Sequence, residues 1–347
     1  MSEYRQDPLT GCWVVIAEER VNRPFQFDLG TNVNGETISL CPFCPGNEKE
    51  TPPEIMAIRP SGSNKDDSRW LARVVPNKYP AVRQDLPWNP DRFPYPDEIP
   101  DRFDTMYPGY GQHEVLIESP RHILSIAGFD DHEILNTFEL YRQRLLSLAE
   151  EQRWAHVLIF KNVGSDAGAS LPHTHSQLMA LPFVPPPIFK EMQHAEEFFQ
   201  KHDSCYWCEM IHREREFAKR VVTESDHFVM LCPFVSRFPM EIAIYPKDHY
   251  SHFETITEEM NRELAFFTRK AVQILERSLV WFCSPLSYNL ILKSAPLKTG
   301  QVDLNRYHFY LSLFPSLAKA AGFEWGTGLH INPISPETAA AKLRDYV

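Results

Sequence analysis

The sequence predicts a protein of mixed helices and strands that is built from two similar halves. Cys-x-x-Cys pairs occur twice, at Cys41 and Cys44 and again at Cys205 and Cys208. Each pair is followed by a nine-residue segment that reads as a strand and ends in histidine, EVLIESPRH in the first half and EIAIYPKDH in the second. A helical pattern and two further strand-like segments then follow in both halves. The same order of elements is therefore written twice.

The segment after each terminal histidine has the apolar periodicity of a helix that buries one face. The apolar positions are Ile134, Phe138, Tyr141, Leu145 and Leu148 in the first half and Met260, Leu264, Phe267, Ala271 and Ile274 in the second. Asp130 and Asp131 precede the first set, and Thr255 and Glu258 have the spacing of a capping box before the second. We expect one long helix in each half.

Two strand-like segments follow each helix, HVLIFKNVG and PHTHSQLMALP in the first half and SYNLILKSA and RYHFYLSLFP in the second. When the halves are aligned, His173 matches His308, whereas His175 matches Tyr310. A histidine that both halves retain suits a structural metal site, and a histidine that only one half carries suits chemistry.

Length, composition and charge exclude some classes of function. The 347 residues suffice for two domains, and 43% hydrophobic and 23% charged residues are ordinary for a globular protein. A net charge of −11 argues against a nucleic-acid binder, but a nucleotide substrate needs only a local cluster of cations. Neither a signal peptide nor an apolar run of membrane-spanning length is evident, so we expect a cytoplasmic protein.

The two Cys-x-x-Cys pairs predict two zinc sites. Seven cysteines in a cytoplasmic protein of this size are not expected to form a disulfide framework, and a redox dithiol lacks the thioredoxin-like setting it needs. The predicted ligands are Cys41, Cys44, His122 and His173 in the first site and Cys205, Cys208, His249 and His308 in the second. Four protein ligands leave no open position, so both zinc ions would be structural. The alternative for His122 is a capping or core histidine, and His252 competes with His249.

The stretch GASLPHTHSQLMALP leaves three interpretations of its histidine pair: a buried structural pair, two ligands of one metal, or a ligand beside a nucleophile. The repeat favours the last, with His173 as ligand and His175 as nucleophile. On a strand both side chains and that of Gln177 project to one face. A neutral imidazole attacks phosphorus readily, and a phosphoramidate splits one displacement into two easier ones. Gly164 and Gly168 would let the backbone approach a phosphate closely.

These residues resemble the galactose-1-phosphate uridylyltransferase family, a branch of the histidine-triad superfamily. The resemblance runs from RQDPLTGCWVVIAEERVNRPFQF to GFEWGTGLHINP, and PHTHSQLMALPFVPP is most similar to the ADP-glucose phosphorylase-like branch. It implies an α+β fold of two histidine-triad-like domains, each an antiparallel sheet packed with helices and related by internal duplication. We place these domains at residues 1–190 and 191–347.

The resemblance also implies a ping-pong reaction. A nucleoside monophosphate would pass from a nucleotide-sugar, through a covalent nucleotidyl-histidine at His175, to inorganic phosphate or a sugar 1-phosphate, with Gln177 bonded to the α-phosphate. The other substrate contacts that it implies are Arg20, Arg23, Asn77, Asn162, Ser170 and Phe323. A homodimer is expected by the same resemblance. The plain alternatives are a strand-edge amide for Gln177 and solvated surface charges for the two arginines.

Other functions stay open at this point. They are a uridylyltransferase of galactose metabolism, a nucleotide hydrolase, and a zinc-stabilised nucleotide-binding protein without turnover. Galactose-handling members of the family carry Lys-Phe and then Tyr-Glu near the C-terminus, whereas here Gly322 replaces the lysine and Thr327 and Gly328 replace Tyr-Glu. A glycine cannot hydrogen-bond a sugar hydroxyl, so we expect little activity on galactose 1-phosphate. Adenine is preferred as the base only by the resemblance.

Overall fold

The computed structural model describes residues 2–6, 13–17, 41–89, 106–281, 285–300 and 302–347. Two of the predicted substrate contacts, Arg20 and Arg23, lie outside the described residues, as do the isolated cysteines Cys12 and Cys283.

Thirteen strands and six α-helices make up the described part of the chain. The strands are β1 (Ser2–Gln6), β2 (Trp13–Ala17), β3 (Met56–Ile58), β4 (Ala72–Pro76), β5 (Met106–Pro108), β6 (Gln112–Ile117), β7 (His156–Val163), β8 (His175–Leu181), β9 (Val221–Glu224), β10 (Phe228–Leu231), β11 (Ile242–Pro246), β12 (Tyr288–Lys293) and β13 (Tyr310–Pro315). The helices are α1 (Asp131–Ala149), α2 (Pro186–His202), α3 (Tyr206–Phe217), α4 (Glu258–Leu279), α5 (Gly322–Thr327) and α6 (Pro336–Arg344).

A ten-stranded sheet with antiparallel pairing throughout forms the centre of the protein, in the order β3-β4-β6-β8-β7-β12-β13-β11-β10-β9. The order reads the same from either end once each strand is replaced by its counterpart in the other half. The two halves join where β7 pairs with β12, which sets Asn162 opposite Asn289. The predicted α+β fold with duplicated antiparallel halves is therefore confirmed. The predicted division between residues 190 and 191 falls within α2 and stays a prediction.

The two faces of the sheet have different neighbours. Helices α1 and α4 pack against one face and against each other, over a core that includes Leu116, Leu178, Leu290 and Leu313. In the second half, α2 and α3 cover the opposite face through a separate cluster around Trp207. In the first half this opposite face carries the Cys-x-x-Cys loop and the predicted site.

The two long helices are confirmed, and all ten of their predicted apolar positions are buried. At the start of α1 the Asp130 carboxylate accepts from the Glu133 N–H, and Glu133 bonds back to the Asp130 N–H. The predicted cap of α4 is wrong. Thr257 accepts from the Met260 N–H, because the Thr255 hydroxyl instead donates to a carbonyl within the preceding short turn. None of the helices in the described ranges is long and apolar enough to cross a lipid bilayer.

Candidate active site and metal sites

The first predicted metal set comes together in the structure. Cys44 Sγ lies 3.3 Å from His122 Nδ1 and 3.5 Å from His173 Nδ1. Cys41 Sγ lies 3.6 Å from His173 Nδ1. A tetrahedral zinc ion, with bonds of about 2.3 Å to sulfur and about 2.0 Å to nitrogen, separates such ligands by roughly 3.5 Å. The donor atoms are therefore spaced as zinc requires.

The second set repeats this arrangement closer to the surface. Cys208 Sγ lies 3.4 Å from His249 Nδ1 and 3.6 Å from His308 Nδ1. With Cys205, the four donor atoms lie within 4.8 Å of one another. His249 is exposed and both cysteines are half-buried, whereas the first set is largely buried. Both predicted sets can thus hold a metal ion, and the second is the more accessible to solvent.

The backbone fixes how the ligand rings are oriented. Three of the four histidines direct Nδ1 at the thiols and bond a main-chain carbonyl through Nε2. The pairs are His173 with Ser119 at 2.8 Å, His249 with Asn305 at 2.8 Å and His308 with Pro246 at 3.0 Å. A carbonyl can only accept, so Nε2 carries the hydrogen and the Nδ1 lone pair is left for a cation.

Burial also shifts the pKa values of the residues in the first set. It lowers the pKa of His173 to about 4, which keeps the ring neutral and able to ligate. It raises the pKa of the Cys44 thiol to about 12, with a further contribution from the neighbouring Cys41. Thiolates at this position therefore need a nearby positive charge, which a bound metal ion would supply.

His175 is oriented by the backbone of a metal ligand. Its Nδ1 lies 2.7 Å from the main-chain oxygen of His173, so Nδ1 carries the hydrogen and the lone pair is at Nε2. The imidazole lies against the ring of Phe43, with ring centroids 5.2 Å apart. Phe43 lies between Cys41 and Cys44 in the sequence. His173 precedes β8, yet its ring also contacts Phe43, so both histidines lie on the predicted face. The structure thus assigns the two rings different environments.

A pocket of about 230 Å³ opens above His175. Four of the predicted site residues line it, namely Asn77, Ser170, His175 and Gln177. Its wall also includes Pro42, Phe43, Thr51, Lys78, Tyr79 and Val115. The pocket therefore places an imidazole ring beside amide, hydroxyl and ammonium donors, a combination that suits a phosphorylated substrate.

Asn162 and Phe323 are not among the described residues that line this pocket. Asn162, on β7, accepts a hydrogen bond from Asn289 Nδ2 at 2.8 Å, and its own Nδ2 faces Gly168. Phe323 lies in α5 and is 47% exposed. The substrate-contact roles of both residues remain predictions.

Gly164 lies at a close approach between the two halves, and its predicted place beside a phosphate stays a prediction. Its φ is +80°, and a Cβ there would lie 2.0 Å from Ser287 Oγ in the second half. Gly168, with φ +81°, meets nothing closer than 3.9 Å. Gly164 is therefore required by a close approach between the two halves, in addition to its backbone conformation.

A buried ion pair supports the strand segment that carries His175. Lys161 and Glu118 form a salt bridge with side chains that are 1% and 0% exposed. Lys161 Nζ also donates to Thr174 Oγ1 at 2.8 Å and to the main-chain oxygen of His175 at 3.1 Å. Glu118 accepts from the hydroxyls of Thr174 and Ser176. The pair thus holds the three consecutive residues 174–176 from the face opposite the pocket.

Sequence reasoning missed several residues of this region. Lys78 follows Asn77 in VVPNKYP, a segment in which the family resemblance implies a substrate contact at Asn77 alone. Phe43 lies within the first Cys-x-x-Cys pair, whose spacing points only to its two cysteines as functional residues. His113 lies two residues before Val115 on β6, so strand alternation could have placed it on the pocket face, once β6 was known to pair with β8.

Known protein families match both halves of the chain. The family described as galactose-1-phosphate uridyl transferase, N-terminal domain, matches residues 1–185, and its C-terminal domain matches residues 191–345. The chain belongs to the galactose-1-phosphate uridylyltransferase family. It is accordingly an enzyme, a nucleotidyltransferase of that family.

Individual relatives cover nearly the whole chain. ADP-glucose phosphorylase of Arabidopsis thaliana is 34% identical over 99% of this chain and 92% of its own length. Galactose-1-phosphate uridylyltransferase of Thermotoga maritima is 28% identical over 99% of this chain and 98% of its own.

Solved structures of both kinds of relative superimpose on this chain. The crystal structure of an ADP-glucose phosphorylase from Arabidopsis thaliana with bound ADP-glucose superimposes with a TM-score of 0.74, at 32% identity and 100% coverage of both chains. A uridylyltransferase structure superimposes with a TM-score of 0.78, at 27% identity, over 99% of this chain and 98% of that chain.

Proposed function

We propose that the protein is a nucleotide-sugar phosphorylase, which moves AMP from ADP-glucose to inorganic phosphate through a covalent nucleotidyl-His175. The observation that carries the proposal is the orientation of His175, whose Nδ1–H is bonded to the His173 carbonyl at the base of a donor-lined pocket. ADP-glucose is proposed because the phosphorylase from Arabidopsis thaliana is 34% identical over nearly the full chain.

In the first half-reaction, His175 Nε2 attacks the α-phosphorus of the nucleotide-sugar. A P–N bond forms, the P–O bond to the sugar phosphate breaks, and hexose 1-phosphate leaves with the bonding electron pair. The imidazole gains positive charge as the bond forms. The His173 carbonyl that accepts the Nδ1–H stabilises this charge without a change of protonation.

In the second half-reaction, an oxygen of inorganic phosphate attacks the same phosphorus. The P–N bond breaks, the electron pair returns to Nε2, and the nucleoside diphosphate leaves. Gln177 and Ser170 line the pocket with hydrogen-bond donors for the phosphoryl oxygens, and Lys78 adds a positive charge. The same donors serve both steps because both steps pass through similar transition states at one phosphorus atom.

The C-terminal segment supports phosphate over galactose 1-phosphate as the acceptor. Gly322 and Gly328 stand where galactose-handling relatives carry side chains that contact the hexose, and Thr327 is the shorter replacement between them. A galactose-1-phosphate uridylyltransferase is the second candidate, because a uridylyltransferase structure superimposes over 99% of the chain.

Zinc is the metal we propose for both sets, two ions per chain, because thiolate and imidazole ligands disfavour magnesium and calcium. Bound zinc would hold the Cys-x-x-Cys loop and His173 in place and supply no open coordination position. The cytoplasmic location and the homodimer also remain predictions, the first from composition and the second from the family.

A substrate panel tests the proposed function. Purified protein is incubated with ADP-glucose, UDP-glucose or GDP-glucose, each with inorganic phosphate or galactose 1-phosphate, and the products are separated. We expect ADP and glucose 1-phosphate from ADP-glucose and phosphate. Rapid uridylyl exchange between UDP-glucose and galactose 1-phosphate would establish the second candidate instead, and release of AMP without an acceptor would indicate a hydrolase.

A further inference from the structure

Three amide side chains on the pocket face of the sheet share one feature. In Asn77, Asn162 and Gln177, the carbonyl oxygen of the amide accepts a hydrogen bond from the protein itself. A hydrogen bond of this kind holds the amide oxygen toward the protein and fixes the orientation of the group, so that its NH₂ group points away from that contact. A substrate phosphate needs donors and not acceptors, so the orientation of these amides decides whether the site attracts or repels it.

His113 determines the orientation of Gln177. The Ala81 N–H donates to His113 Nδ1 at 3.0 Å, and a backbone N–H cannot reverse its polarity. Nδ1 therefore carries the lone pair and Nε2 carries the hydrogen. His113 Nε2 lies 2.9 Å from Gln177 Oε1, so it donates to that oxygen and leaves the Gln177 NH₂ for the pocket.

Asn77 is oriented by the backbone directly. The Tyr79 N–H donates to Asn77 Oδ1 at 2.9 Å, which makes Nδ2 a donor. Asn77 Nδ2 lies 3.2 Å from His113 Nε2, where the two groups would both donate. His113 therefore donates its Nε2 hydrogen to Gln177, at 2.9 Å, and the Asn77 NH₂ group donates to other acceptors at the pocket. Both amides line this pocket.

Asn289 has the same effect on Asn162 from the second half of the chain. Asn289 Nδ2 lies 3.0 Å from the main-chain oxygen of Ala167, which can only accept, so this atom is the amide nitrogen. The same Nδ2 lies 2.8 Å from Asn162 and therefore faces its oxygen. The Asn162 NH₂ is left facing Gly168, in the loop that leads to Ser170.

We infer that His113 and Asn289 are positioning residues. His113 fixes the Gln177 amide with its NH₂ group toward the phosphates of a substrate in the pocket, and Asn289 fixes the Asn162 amide with its NH₂ group toward the loop that leads to Ser170. Each transmits the fixed polarity of a backbone group to one amide. This inference rests on the proposed function for the identity of the ligand. It also connects the second half, across the β7–β12 pair, to the loop that carries Ser170.

Matched substitutions test the two arms. His113→Phe keeps the ring shape and removes the donor, whereas His113→Gln places an N–H near the position of Nε2. Asn289→Asp is nearly isosteric but cannot donate to Asn162. Asn332→Asp is the control, because Asn332 Nδ2 also donates to two main-chain oxygens, those of Ser236 and Phe238, away from the site.

The measurement is the single-turnover rate of adduct formation on His175 from ADP-glucose, expressed per folded, zinc-loaded chain. We expect His113→Phe to slow this step about 10- to 100-fold and Asn289→Asp about tenfold. Removal of one transition-state donor costs about 100-fold or more, and these variants release the orientation of a donor without removing it. His113→Gln should recover most of the rate and Asn332→Asp should match wild type. The Kd for substrate should change less than the rate, which a merely structural role would not produce.

Equal rates in wild type and both test variants would overturn the inference while leaving the proposed function intact. Absence of an adduct in wild type with any nucleotide-sugar would instead count against the proposed function. Nitrogen NMR of the His113 ring tests the inference independently of the substrate. A hydrogen on Nε2 is expected, and a hydrogen on Nδ1 would overturn it.

Discussion

Removing one partner of the buried ion pair behind His175 should destabilise the protein strongly. Lys161→Met keeps much of the side-chain volume but takes away the ammonium group that faces Glu118. The carboxylate is 0% exposed and is left with the hydroxyls of Tyr141, Thr174 and Ser176 as its donors. Water cannot reach it, so the charge has to be neutralised or the region has to open.

Loss of one member of a fully buried pair costs about 3–5 kcal/mol. We expect Lys161→Met to fall in this range, since both side chains are at most 1% exposed. Lys161→Met combined with Glu118→Gln removes both charges and keeps an oxygen that can accept from the hydroxyls. This double variant should recover at least about 1 kcal/mol relative to the single one.

Urea unfolding of zinc-saturated protein, followed by tryptophan fluorescence, measures these differences through the transition midpoint and slope. Lys319→Met is the control, because its 2.8 Å ion pair with Asp166 is exposed on both sides and should contribute at most about 1 kcal/mol. A loss below about 1 kcal/mol for Lys161→Met, or no recovery in the double variant, would refute the assignment of a buried charged pair.

Three further predictions concern pH, metal and substrate. Burial opposes charge on Glu118, but Lys161 and the hydroxyls outweigh it and lower its pKa below the ordinary 4.5. The stabilisation that the Glu118 carboxylate provides should therefore be complete above about pH 4.5 and be lost as pH falls through the lower folded-state pKa. The difference in unfolding free energy between wild type and Glu118→Gln should narrow over that range. A difference that widens on acidification would contradict this prediction. A chelator should remove the metal of the second, more exposed set first, and simultaneous loss of both metals would argue against two independent sites. Cys205→Ser should lower the stability of the protein more than it lowers the reaction rate per folded molecule. Lys78→Met should raise the KM for ADP-glucose about fivefold, equivalent to about 1 kcal/mol, with Lys319→Met as control; an unchanged KM would remove Lys78 from the substrate's surroundings.

The sequence was most informative where the duplication could be compared with itself. The repeated order selected both sets of metal ligands although their members lie far apart in the chain. The second half has Tyr310 where the first half has His175, and this difference distinguished the predicted role of His175 from that of His173. The helices and strands could be predicted from periodicity, because each of these elements buries one continuous apolar face of its own.

The missed features depend on which strands pair and in which register. The contacts of His113 with Gln177 and of Asn289 with Asn162 join neighbouring strands, and the contact of Lys161 with Glu118 reaches across β8. A single sequence does not state these neighbours. The error at the start of α4 had a local cause, because two threonines lay within reach and a short turn engaged the first of them.

Direct isolation of the covalent intermediate tests the central claim. The protein is mixed with ADP-glucose labelled in the adenylate phosphorus, without phosphate, then quenched in base, digested and sequenced by mass spectrometry. We predict one acid-labile, base-stable adenylyl group on His175, which disappears in His175→Ala although that variant keeps its fold and metal content. Label on another residue, or full turnover by His175→Ala, would contradict the account.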